Sequence, residues 1–210
     1  MKRYILGACI FLLPAFAAAE TYIGLVEVGV GLIPGGGGTK EFAVRASDDF
    51  KKDGVQIPSL IDRFTTIAQA KVATSAHEAF NFGLLNQKDQ IVMNTQRNIA
   101  EAKKEVLRLA NNYTRPTERT DIMVLGRQGL GALYTAIASF GLGKYISEHD
   151  AKIAQKAAFV MCGGDLTAPQ MVSERYLLDL EREAFLSLCG EQKTLQRIQH
   201  MLTTNKPLRN

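Results

Sequence analysis

The sequence predicts a mainly α chain with a short β remnant near its start. Three observations lead there. A single short apolar strand ends near Val26, just ahead of a glycine cluster. From Thr39 onward, nearly every periodic segment repeats its apolar residues at helical spacing. Helix-opening residues, among them Ser75, Ser147 and Thr167, stand in front of several of those segments.

The first helix is expected over Thr39 to Phe50, with Phe42, Val44 and Ala46 on its apolar side. The charged run Asp48-Asp-Phe-Lys-Lys-Asp-Gly54 reads as a polar loop. Ile57 to Ala70 is expected to be helical, and Ser75-Ala-His-Glu78 is a capping-box pattern opening a short helix that Gly83 stops. His77 then faces solvent. Asn94 to Ala110 sets Ile99, Ala102, Val106 and Leu109 on one face and Glu101, Lys104, Glu105 and Arg108 on the other. Turn-forming residues between Asn111 and Arg119 mark an internal boundary. Beyond it, Gln128 to Phe140 is rich in Gly and Ala, which suits close helix contacts, and Ser147 caps a helix running through Met161. Thr167-Ala-Pro-Gln170 is expected to start a further helix with Leu177, Leu180, Ala184 and Leu188 as its apolar stripe, and a last helix covers about Glu191 to Leu202.

With 210 residues and 46% hydrophobic composition, the chain is long enough to bury a core. Its net charge of +4 suits an anionic ligand, but the basic residues are interleaved with acids, so no nucleic acid is expected as a partner. Cys9, Cys162 and Cys189 are odd in number and widely spaced, which points to reduced, packed thiols. Lys2-Arg3, the apolar run from Tyr4 to Phe16 and Ala17-Ala-Ala19 have the three parts of a secretory signal peptide. The run is too short to span a bilayer, which takes about 20 apolar residues, so no stable membrane anchor is expected. Residues 1–16 are read as an altered start on a cytoplasmic protein. Export through a signal peptide at Met1–Ala19, to a secreted or periplasmic location, is the alternative.

The segment from Glu20 to Glu41 carries the candidate site. It places one carboxylate, Glu27, shortly before Pro34 and the run Gly35-Gly-Gly-Gly38, where backbone can approach a ligand closely. Its core, Ile23 to Thr39, resembles the signature of the crotonase superfamily, the enoyl-CoA hydratases and isomerases. Ser75-Ala-His-Glu-Ala-Phe-Asn-Phe-Gly-Leu-Leu-Asn86 is similar to that family's next landmark. The stretches 145–152, 177–186 and 206–210 resemble the tail of bacterial proteins that join 3-hydroxyacyl-CoA dehydrogenase to enoyl-CoA hydratase. The resemblance implies the C-terminal part of a crotonase-type α/β fold, with residues 17–110 a partial hydratase/isomerase module, 111–119 a linker and 120–210 a helical region. It also implies a truncated segment of a fatty acid β-oxidation enzyme acting on acyl-CoA thioesters. Glu27 would be the catalytic acid/base, and Pro34 and Gly35 would bind substrate.

Hydration of an unsaturated thioester needs two acid/base groups and donors for the enolate-like oxygen. Where the family has its first glutamate, Gly7-Ala-Cys9-Ile10 offers an isoleucine. Losing one such acid/base group costs about 10² to 10⁴ in rate, so the isolated chain is expected to be inactive. The alternative is a non-catalytic helical assembly fragment, possibly exported. The resemblance also implies a homo-oligomer, or association with the upstream part of the same enzyme.

Other chemistry finds little footing. Gly35-Gly-Gly-Gly-Thr-Lys40 has Thr before Lys, the reverse of a phosphate-binding P-loop. Gly129-Leu-Gly131 lacks the third glycine of a dinucleotide fingerprint, so no cofactor is expected in this chain and NAD is assigned to an absent dehydrogenase part. His77, His149 and His200 have no metal-ligand spacing, and no metal site is expected. Ser147, His149 and Asp150 sit together as helix-capping residues.

Overall fold

The computed structural model describes residues 14–54 and 56–210. Cys9, the Gly7 to Ile10 comparison and most of the signal-like start therefore lie outside the described residues. In chain order the elements are β1 (Phe16–Ala18), β2 (Ile23–Gly24), a 3₁₀ turn (Glu27–Val30), α1 (Gly38–Asp53), α2 (Ile57–Ala68), β3 (Val72–Ala73), α3 (Ala76–Asn81), β4 (Gln90–Val92), a second 3₁₀ turn (Thr95–Arg97), α4 (Asn98–Ala110), β5 (Ile122–Val124), α5 (Gly126–Leu142), α6 (Glu148–Met161), β6 (Gln170–Val172), α7 (Glu174–Cys189) and α8 (Gln192–Thr204). The chain is mainly helical, as the periodicity predicts. Its strands form three two-stranded pairs among the described residues, which gives no spiral sheet to support a crotonase-type fold.

The chain divides into two compact units, and the division is discontinuous in sequence. Leu25–Ala70, expected with the segment before the linker, groups with Glu118–Asn210.

The first unit holds described residues 14–24 together with Lys71–Thr117. Here β1 runs parallel to β4, and β2 pairs antiparallel with β3. Asp89 ties the first pair together, because its carboxylate accepts from the backbone N–H groups of Ala15 at 2.7 Å and Asn86 at 2.6 Å. Ser75 caps α3 by accepting from the Glu78 N–H, and His77 is exposed, both as the sequence predicts. Helix α4 is amphipathic yet has no buried residue, with Ile99 and Val106 open to solvent.

The second unit is built around α1, α2 and α6, with α5 and α7 packed on α6, and β5 paired antiparallel with β6 and lying against α1. Ile33, Leu60, Ile67, Ile122, Ile153 and Leu177 are among its fully buried side chains. Two local expectations change here. The charged run after Asp48 is the last part of α1, held because Phe50 is buried while Asp48 pairs with Arg119 and Asp49 with Arg63. Thr167–Gln170 opens no helix, since Gln170–Val172 pairs with β5. Helix α7 starts after Ser173, whose hydroxyl accepts from the Tyr176 N–H. Ser147 and Asp150 close a reciprocal capping box on α6. Cys162 and Cys189 are free thiols, and burial pushes the Cys162 thiol up to about 12.

Candidate functional site

Glu27 opens the 3₁₀ turn that connects the early strands to the glycine run. The turn closes on itself, with the Leu32 N–H donating to the Glu27 carbonyl at 3.1 Å and the Gly29 N–H to the Val26 carbonyl at 2.9 Å. The Glu27 side chain is half-buried, and its Oε2 has no hydrogen-bond partner among the described residues. Burial raises its carboxyl above the ordinary range, and the bond from its own backbone N–H opposes the rise. Such a carboxyl holds its proton more readily than a surface glutamate, which suits a proton-carrying side chain.

The residues that follow face other parts of the same unit. Pro34 is buried, and its carbonyl accepts from both the Thr39 N–H at 3.2 Å and the Thr39 hydroxyl at 3.0 Å. Gly35 lies against Phe185 of α7, so closely that a Cβ there would meet the ring at 2.2 Å. Gly37 takes a positive φ of 93° as the residue before α1, a conformation that glycine adopts without penalty.

The start of α1 is already occupied by an anion from within the chain. Glu181 of α7 accepts from the Gly37 N–H at 2.6 Å and from the Lys40 N–H at 2.8 Å, one carboxylate oxygen to each. These are the unsatisfied amides that make a helix N-terminus attractive to phosphate. Here they hold a carboxylate that is 1% exposed. Burial raises the Glu181 carboxyl, while the two backbone N–H groups and nearby Lys40 pull it down. Lys40 is buried too, and its ammonium pairs with Glu174 at 2.6 Å and Glu41 at 3.4 Å. The phosphate-loop flavour of the glycine run thus resolves into a helix terminus capped by the protein's own glutamate.

A second buried network braces the 3₁₀ turn. The Thr194 hydroxyl donates to the Gly31 carbonyl at 2.8 Å and lies 2.9 Å from His149 Nε2. The hydroxyl's one hydrogen is engaged by Gly31, so Nε2–H is the donor to Thr194. Burial, with Arg197 close by, holds His149 below the usual histidine range.

Sequence reading reached Glu27, Pro34 and Gly35 but missed Glu181, His149 as a brace, and Thr194. Glu181 did leave a signal. It follows Leu177 by four residues and precedes Ala184 by three, so it is a charge lying within the apolar stripe. Leu177, Ala184 and Leu188 are buried as expected, with Glu181 among them and Leu180 at the border.

No family model matches the chain. It is 45% identical over 194 residues to the "Probable 3-hydroxyacyl-CoA dehydrogenase" of Bacillus subtilis (strain 168), a match that covers 92% of this chain and 24% of that protein. It is 25% identical over 201 residues to the "Putative fatty acid oxidation complex trifunctional enzyme" of Rickettsia prowazekii (strain Madrid E), again with coverage of 92% and 24%. The chain thus spans about a quarter of the length of the curated relatives it matches. These relatives overturn the assignment to a crotonase-type enoyl-CoA hydratase/isomerase, because they carry the names of a 3-hydroxyacyl-CoA dehydrogenase and of a fatty acid oxidation enzyme. No hydration step is therefore assigned to Glu27.

Proposed function

We propose that this chain is a mainly helical segment of a fatty acid oxidation enzyme of the 3-hydroxyacyl-CoA dehydrogenase kind. The observation that carries this reading is the 45% identity to the Bacillus subtilis protein over 92% of the chain. In such an enzyme C3 of a 3-hydroxyacyl-CoA thioester would give up its hydrogen as a hydride to NAD while the 3-hydroxyl gives its proton to a base, leaving a ketone. Gly129-Leu-Gly131 lies inside α5 and not at a strand-to-helix turn, so we assign the dinucleotide to parts of the enzyme other than this helix. The segment's candidate contact with the thioester is Glu27, because its Oε2 is buried and unpartnered among the described residues. Pro34 and Gly35 fix the turn that follows. The net charge of +4 favours approach of the anionic coenzyme.

A chimera tests this reading. The matching stretch of the Bacillus subtilis protein is replaced by this chain, and NADH formation from 3-hydroxyacyl-CoA is followed by absorbance. The chimera is expected to retain oxidation, and Glu27→Gln within it to alter kcat or KM. A chimera that folds, shown by circular dichroism and a cooperative melt, yet does not oxidise the thioester while the parent does, would falsify the proposal. An unchanged Glu27→Gln chimera would remove Glu27 from it and leave the rest.

A further inference from the structure

The carbonyl of Gly31 and the N–H of Leu32 belong to one peptide plane, and both ends of that plane are bonded within the second unit. The Gly31 carbonyl accepts from the Thr194 hydroxyl of α8 at 2.8 Å, and the Leu32 N–H donates to the Glu27 carbonyl at 3.1 Å. A trans peptide is planar, with its C=O and N–H pointing in opposite directions, so tilting one end tilts the other. Behind Thr194 stands His149 of α6, whose Nε2 lies 2.9 Å from the hydroxyl. Three hydrogen bonds thus run in one direction, from His149 to Thr194, from Thr194 to Gly31 and from Leu32 to Glu27. Bonds aligned in series strengthen one another.

The contact between α8 and the turn is close. Gly31 takes a positive φ of 90°, and a Cβ there would meet Thr194 Oγ1 at 2.7 Å and its Cα at 2.9 Å. Thr194 and His149 are both buried, so water does not readily replace a partner that either one loses. Buried Arg197, one turn along α8 from Thr194, donates to Asp150 at 2.7 Å and to Ser147 at 3.3 Å. These bonds to the start of α6 keep Thr194 and His149 in register. Within the turn Val28 is the one buried residue, so its own side chains do little to fix it.

We propose that Thr194 and His149 are positioning residues for Glu27. Acting through the Gly31–Leu32 peptide, they hold the turn so that the Glu27 carboxyl stays away from water and Oε2 is left for the thioester. This role rests on the reading of Glu27 as the thioester contact, whereas the chain of bonds does not.

The test reads Glu27 in the full chain without substrate. Carbon-13 NMR of glutamate-labelled protein follows the Glu27 titration, its resonance assigned by its loss in Glu27→Gln, and amide exchange at Leu32 follows the bond to the Glu27 carbonyl. Thr194→Val keeps the shape of the side chain and removes the hydroxyl. It is expected to speed Leu32 exchange and to bring the Glu27 midpoint down towards the ordinary glutamate range, because water reaches the carboxyl. Thr194→Ser keeps the hydroxyl and should match the parent in both. His149→Gln retains an amide donor and should also match the parent, while His149→Leu should behave as Thr194→Val. This second pair gives the same comparison if Thr194→Val does not fold. Ile122→Val, a core truncation in β5 that touches none of these bonds, is expected to leave the Glu27 midpoint unchanged, which separates positioning from general loosening. In the Bacillus subtilis chimera Thr194→Val should lower kcat/KM about ten- to a hundredfold, the scale of a small misplacement, and Thr194→Ser should restore it. An unmoved Glu27 midpoint in folded Thr194→Val or His149→Leu, or an equal shift in Ile122→Val, overturns the proposal whatever the chimera does. A shifted midpoint together with a Glu27→Gln chimera of unchanged activity supports the positioning and overturns only the thioester contact, so the two failures are told apart.

Discussion

At Gly35 the absence of a side chain has a single visible use, which is to admit the Phe185 ring of α7. A Cβ would stand 2.2 Å from Phe185 Cδ2 and 2.7 Å from Cγ, well inside contact distance. Neighbouring Pro34 and Thr39 are buried and bonded to each other, so the turn cannot easily back away. Gly35→Ala is therefore predicted to destabilise the chain by about 1–3 kcal/mol, the usual cost of forcing extra volume into a filled site. Urea denaturation measures it. Combining Gly35→Ala with Phe185→Leu should cost less than the sum of the two single changes, because the smaller side chain relieves the collision. A Gly35→Ala midpoint equal to that of the parent would show that the close approach is not binding.

Among the elements, the 3₁₀ turn, α6 and α8 are joined through His149 and Thr194, and this joint responds to protons. His149 is 3% exposed and is held below its ordinary value by burial first and by Arg197 second, with Glu191 and Asp150 opposing and Lys193 adding to the depression. In the unfolded chain the imidazole binds its proton near about 6.5. As pH falls through that value the unfolded state takes up protons that the folded state does not, so stability declines. The contribution is fully present above about pH 6.5 and disappears as the pH drops towards the folded value. Glu27 and Glu181 act with the opposite sign in the carboxylate range, since burial raises both and acidification there favours the folded form. The unfolding free energy from urea titrations is predicted to fall as pH is lowered from neutral past about 6.5, and His149→Gln should remove that slope. A slope that persists in the variant would place its origin in another group.

Across the whole molecule, what the sequence made legible was local and periodic. The caps at Ser75 and Ser147 were readable because they depend on residues three apart, and the helices because apolar residues repeat at a short interval. What it concealed depends on distant partners. The ladder that turns Gln170–Val172 into a strand needs Ile122–Val124, and the capping of α1 needs Glu181, which lies 144 residues from Gly37. The glycine run looked like a ligand loop because an open donor cradle and one filled by a remote carboxylate read identically over a short window. Family likeness misled in the same way, since motif matches over a few residues yielded a hydratase where longer alignment points to dehydrogenase-type relatives. Unequal burial of two similar amphipathic helices leads to the last prediction. In its own unit α4 buries no residue, while α6 buries Ile153, Ala157, Val160 and Met161 among others in the second unit. Local opening of α4 should therefore cost far less than opening of α6. Hydrogen exchange read by mass spectrometry is expected to label α4 amides early, together with residues 113–118, which are exposed and lie in no helix or strand. Amides of α6 should exchange last, in step with global unfolding. Protection of α4 equal to that of α6 in the free chain would mean that its exposed face is covered in solution, and would contradict the partition of stability drawn from burial.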